Sequence, residues 1–286
     1  MSPIDPALSI AAVHLAVGDL PRSADFYERV LGLPLRANDD ERALLGPDGE
    51  RPALELTRLQ DAGAAPQHST GLFHVAWLHP SRAELARTIR RIAAARWPFE
   101  GAADHGVSEA LYLSDPDGLG IEIYVDRPRE LWQRPADGRG VSMVTLPLDL
   151  DDLLAQWEQD PTAAVDAATK IGHVHLKVSD VARASAFYRD ALGFEPQAQM
   201  PSAAFLSAGG YHHHVGLNSW QSRGGEPSPA TAPGLRRVDF ELSGAAELDQ
   251  LERRLADGSA SGATRGEDGG LLARDPDAQS LRFSAR

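Results

Sequence analysis

The chain has no cysteine, which removes disulfides, thiolate metal sites and a cysteine nucleophile together. Any metal must therefore be held by His, Asp or Glu. Basic residues are scarce too: 28 Lys and Arg stand against 41 Asp and Glu, for a formal net charge of -13. Such a charge repels a phosphate backbone, and no polybasic stripe relieves it, so no nucleic-acid partner is expected. Nowhere do about 18 apolar residues run together, and Met1-Ser2-Pro3-Ile4-Asp5-Pro6 shows no basic region followed by an apolar one. The expectation is a cytoplasmic protein with no membrane partner.

What is present is length for two cores: 286 residues, 42% of them hydrophobic. It is also a repeat. Val13-His14-Leu15-Ala16-Val17-Gly18-Asp19, with Phe26-Tyr27 and Leu31-Gly32-Leu33, returns 161 residues later as Val174-His175-Leu176-Lys177-Val178-Ser179-Asp180, with Phe187-Tyr188 and Leu192-Gly193-Phe194. Each copy reads as an alternating strand, an Asp at a helix start, an amphipathic helix and a Leu-Gly stop. A fainter echo lies within each copy: Gly71 to Trp77 precedes a helix over Ser81 to Ala95, and Gly234 to Phe240 precedes another over Ala245 to Ala256. Four quarters result, roughly 8–60, 70–127, 170–222 and 234–286, each a strand, a helix and further strands. The domain reading is 8–127, a connector over 128–169, and 170–286. The connector, with its acidic run Asp149-Leu150-Asp151-Asp152, is expected to be ordered and helical near Leu153 to Glu158.

Of the ten histidines, five fall in two clusters of quarter three: His173 with His175, and His212-His213-His214. Alternation places His173 and His175 on one face of a strand. The triple His is either a site wall or a polar strand edge. Quarter two offers His74, His105, Tyr112 and Glu122, the last set between apolar Ile121, Ile123 and Tyr124. A buried carboxylate there is costly unless paired or bound to metal. Two imidazoles and one carboxylate, with adjacent positions left open, suit non-haem Fe(II), and Mn(II) accepts the same ligands. Trp77, Trp220 and Tyr124 are candidates to shape a pocket, although tryptophans are more often core.

These phrases, with Gly209-Gly210-Tyr211 before the triple His and Tyr112-Leu113-Ser114-Asp115-Pro116-Asp117-Gly118 before Glu122, resemble the vicinal-oxygen-chelate superfamily. The order of features is similar to its tandem catechol 2,3-dioxygenase (extradiol) members. The resemblance covers nearly the whole chain apart from the connector. It implies an α+β fold of four βαβββ modules forming two cupped β-barrels. It also implies a first metal ligand seven residues before the helix-opening Asp, which is His173 in quarter three but Ala12 in quarter one. The second ligand position is His74 in quarter two but Arg237 in quarter four; the third is Glu122 against Arg282. Pairing the quarters within each half leaves both barrels incomplete, whereas pairing quarter two with quarter three completes His74, Glu122 and His173. A crossed arrangement is therefore expected, or a homodimer that supplies the same pairing between chains. The resemblance further implies Tyr112, ten residues before Glu122, as a substrate-touching tyrosine. It places the acid-base histidine among His212 to His214, with His213 and His214 the candidates, and His105 and His175 beside the substrate. The implied partners are a small aromatic diol and O2. Two other readings stay open: a glyoxalase-like isomerase or lyase with Glu55 as an extra ligand, and a metal-free small-molecule-binding protein of the resistance type.

Overall fold

The structure is a computed structural model that describes residues 3–47, 51–136, 138–157, 163–257 and 263–286. The same module occurs four times. The first is β1 (Ser9–Val17), helix α1 (Leu20–Asp25), then β2 (Leu35–Asn38), β3 (Arg42–Leu45) and β4 (Leu54–Arg58). The second is β5 (Gly71–Leu78), α2 (Arg82–Ala94), β6 (Gly101–Asp104), β7 (Ser108–Ser114) and β8 (Gly120–Asp126). After connector helix α3 (Leu150–Ala155), the third runs β9 (Lys170–Lys177), α4 (Val181–Ala186), β10 (Glu195–Met200), β11 (Ala203–Ser207) and β12 (Val215–Asn218). The fourth is β13 (Gly234–Leu242), α5 (Ala245–Asp257), β14 (Thr264–Arg265), β15 (Leu271–Arg274) and β16 (Ser280–Ala285).

Local chemistry sets the helix boundaries. The Asp19 and Asp180 side chains accept from the backbone N–H of Arg22 and Arg183 at 3.1 and 3.0 Å, and Ser81 caps α2 through Glu84 N–H. Helices α1 and α4 each widen into a π turn, Phe26–Val30 and Phe187–Ala191, before Gly32 and Gly193 leave at φ 82° and 88°. The connector helix begins three residues before the expected Leu153, because Asp149 caps it through Asp152 N–H. The acidic run is its first turn, where negative charge opposes the helix dipole. Glu158, the expected end, lies outside the described residues.

Eight strands form each of two sheets, in the order β14-β15-β16-β13-β1-β4-β3-β2 and β10-β11-β12-β9-β5-β8-β7-β6. Modules one and four make the first sheet, modules two and three the second. The central joint of the second sheet is β5 against β9, antiparallel, and of the first β1 against β13. The crossed arrangement thus occurs within one chain. Packing of Val75, Trp77, Ile121, Ile123, Val174 and Leu176 into the core behind the second sheet leaves the opposite face of β5, β8 and β9 to the polar side chains. Among the described residues, no helix is long and apolar enough to cross a membrane.

Candidate metal centre

Register places the donors. Ala76 on β5 pairs with Glu122 of β8 on one side and with His173 of β9 on the other, and Tyr112 of β7 lies opposite Glu122. His173, Ala76, Glu122 and Tyr112 therefore form a row across four strands, and His74 stands two residues from Ala76 on its face of the strand. Because Ala76 carries only a methyl group, the middle of the row is open.

Into that opening point His74 Nε2, His173 Nε2 and Glu122 Oε2. The separations are 3.3 Å between the imidazoles, 2.9 Å from His74 to Glu122 and 3.1 Å from His173 to Glu122. Adjacent corners of an octahedron with bonds of about 2.1 Å lie about 3.0 Å apart, so the three atoms fit one face of such a site. None of the three residues is more than 5% exposed. Burial pushes His173 down to about 4 against the pull of Glu122. Burial also works to raise Glu122, but the His173 and His74 imidazoles outweigh it and hold the carboxyl well below its usual range. At neutral pH His173 is therefore neutral and Glu122 ionised, the protonation state in which each would ligate a cation. Buried His173 Nδ1 has no hydrogen-bond partner among the described residues.

Among the described residues, no fourth protein donor completes the ring. The strand position that carries Glu55 beside His14 in module one carries Gly216 beside His175 in module three. A Cβ on Gly216 would sit 2.8 Å from His175 Cγ, so the His175 ring fills the space a fourth carboxylate needs. Asn218 Nδ2 reaches His175 Nε2 at 3.1 Å, and burial holds this imidazole well below its usual pKa. His175 stands edge-on to His74 and does not line the adjoining cleft.

The remaining polar groups surround the triad in two chains. Tyr112 O–H lies 2.6 Å from His105 Nε2, and His105 Nδ1 lies 2.7 Å from the Val144 carbonyl. A carbonyl only accepts, so His105 Nδ1 carries the proton and Tyr112 donates to Nε2. His105 sits behind Tyr112. The second chain begins at Asp126, 2.9 Å from His212 Nε2, and continues from His212 Nδ1 to His213 Nδ1 at 2.7 Å. In the tautomer where a neutral His212 donates to the carboxylate, its Nδ1 is an acceptor, so His213 Nδ1 donates and its Nε2 keeps a free lone pair. His213 packs on the His173 ring, centroids 3.9 Å apart, and burial drives its pKa well down. His214 differs: its Nδ1 accepts from the Ala208 N–H, and its ring lies on Tyr211. Sequence reasoning missed His212 as a link, together with Asp126 and Ala76. Trp77 is core, Tyr124 is fully buried with its hydroxyl against Tyr211, and Trp220, 54% exposed, stands edge-on to Phe73.

The triad opens through His74 and Tyr112 onto a cleft of about 280 Å³. A larger one, about 800 Å³, lies on the other sheet around His14, Glu55, Arg236 and Arg237. Donor chemistry outweighs size. At the matching positions of that sheet stand Ala12, Arg237 and Arg282, with Arg237 bound to Asp239 and His14 and Arg282 bound to Asp268. Guanidinium groups cannot ligate a cation.

Two eight-stranded sheets built from four βαβββ modules, with a His–His–carboxylate cluster on one of them, define the class. Residues 9–123 and 170–277 match the Glyoxalase/Bleomycin resistance protein/Dioxygenase superfamily, and the chain belongs to it. Within that superfamily it is 42% identical over 258 residues to the catechol-2,3-dioxygenase of Bacillus subtilis, covering 89% of this chain and 90% of that one. A solved Bacillus subtilis structure superposes with a TM-score of 0.67 at 16% identity, over 100% of this chain and 86% of that one. Glyoxalase I from Zea mays follows at 0.58 and 17% identity, over 97% and 92%. At such identities the two structures speak for the fold.

Proposed function

We propose that the protein is a cytoplasmic extradiol dioxygenase, which opens the ring of a catechol beside its two hydroxyls with O2. His74, His173 and Glu122 would hold Fe(II), and Mn(II) fits the same donors. One observation carries the reading: three donor atoms converge at 2.9 to 3.3 Å, while Gly216 stands where a fourth carboxylate would close the site. The 42% identity to a catechol-2,3-dioxygenase supports the same chemistry. Three protein ligands leave room for a bidentate diol together with a small third ligand. When bound, the iron supplies a common site for catechol and dioxygen and a path for electrons between them.

The rest falls to this chain's own groups. Tyr112, its hydrogen committed to His105, presents an oxygen lone pair that accepts from a catechol hydroxyl. His213 Nε2, left unprotonated by the Asp126–His212 chain, takes a proton from the diol and returns it as the ring opens. General acid-base help of this kind contributes typically about 10²- to 10⁴-fold. The triad is complete inside one chain, so a homodimer is not needed to build it. The glyoxalase-like reading is weaker because Glu55 lies in the other sheet, 3.1 Å from His14 Nδ1. Protein loaded with Fe(II) under nitrogen and then given catechol and air should consume oxygen and turn yellow. Full iron occupancy with no uptake from any catechol would overturn the reading.

A further inference from the structure

The alternation that turns His173 and His175 to one face of β9 brings a third side chain to that face, Lys177 at the strand's end. Lys177 lines the same cleft as His74 and Tyr112. It is half-buried, and among the described residues no hydrogen bond or ion pair engages its ammonium. Its strand neighbours are Gly71 and Asn218, neither of them charged. The carboxylate that shares the cleft, Glu100, is exposed and accepts from Ser114 Oγ at 2.6 Å. Burial lowers the Lys177 ammonium, with no carboxylate opposing the effect. A partly desolvated cation without a partner is costly unless a ligand completes it.

Position says which part of a ligand this would be. Four residues of strand separate the Cα atoms of His173 and Lys177, a span of about 13 Å. The lysine stem takes up part of that distance, and a ring chelated at the triad with a short arm fills the rest. In module one the equivalent residue, 161 positions earlier, is Ala16; the lysine occurs in the module that contributes a metal donor. We propose that Lys177 receives a carboxylate on the substrate, so that the preferred catechols carry a short acidic side chain. This assignment rests on the dioxygenase reading for the ring and on Lys177 for the arm.

The test compares 3,4-dihydroxyphenylacetate with its neutral amide. The wild-type protein should favour the acid at least tenfold in kcat/KM. Lys177→Met should bring the ratio near one, Lys177→Arg should restore it, and Lys177→Glu should shift preference to a catechol bearing an ethylamine arm. Calorimetry of the iron-loaded protein under nitrogen, where no ring is opened, should show the same Lys177-dependent preference in binding. Turnover of both compounds at equal kcat/KM, or a preference that survives in Lys177→Met, would overturn the inference and leave the dioxygenase reading standing. Binding preference without any ring opening would do the reverse.

Discussion

His213 and His214 are adjacent imidazoles that differ in what their Nδ1 atoms do. One donates into the His212–Asp126 chain and keeps a free Nε2; the other spends its Nδ1 on the Ala208 N–H. Replacing His213 with Asn should lower kcat by about 10²- to 10⁴-fold with iron content unchanged. His214→Asn should cost far less. Stopped-flow oxygen uptake on iron-matched samples decides between them, and the reverse order would move the base to His214. Asp126→Asn should fall between, because it weakens the tautomer chain without removing the base. The candidate donors His74, Glu122 and His173 were named from the sequence, on the ligand positions that the resemblance implies, and the structure brings them together. The choice between His213 and His214 was not. It depends on a hydrogen bond to a residue 86 positions away, and on Ala76 and Gly216, whose contribution is the space they leave.

At the scale of elements, the links that run between the two sheets carry a pH dependence. Tyr27, in the π turn after α1, donates to Asp115 in the turn before β8, and Tyr188 donates to Asp275 in the turn before β16. Burial raises both carboxyls to about 6, above their ordinary 3.8. A raised carboxyl favours folding in its neutral form: its stability is fully present below about pH 4 and lost as pH rises through about 6. Asp115→Asn, which never ionises, should therefore gain stability on the wild type between pH 4 and 7, by at most about 3 kcal/mol, read as a Tm difference that widens with pH. A Tm difference flat across that range in calorimetry would show that Asp115 titrates normally. Helix α2 makes a second link. Its buried Glu84–Arg87 pair holds the connector through Asp166 N–H and the Ala163 carbonyl. Glu84→Ala should cost about 3 to 5 kcal/mol by leaving Arg87 buried and unpaired, measurable by urea unfolding. The sequence placed the elements well because Asp, Ser and Gly boundaries are local. The connector's attachment was invisible because its partners lie on a helix of the preceding module.

For the whole molecule, the crossed sheets decide what can stand alone. Residues 8–127 and 170–286 look like two domains by repetition, yet each sheet takes one module from each. Separating the halves would expose β5 along the whole edge that β9 covers, and β1 along the edge that β13 covers. Long unpaired edges of this kind invite aggregation. Counting ligand positions revealed the crossing from sequence, because neither half contains a full donor set. Fragment 1–127 carries His74 and Glu122, fragment 128–286 carries His173, and neither alone should retain iron through gel filtration. Co-expressed, the two should pair by the same strand edges and bind one iron per pair, with oxygen uptake restored in part by catechol. Stoichiometric iron on fragment 1–127 by itself would mean that two donors from one module suffice. The sharing of a centre between the halves would then no longer account for Arg237 and Arg282 at the matching positions of the other sheet.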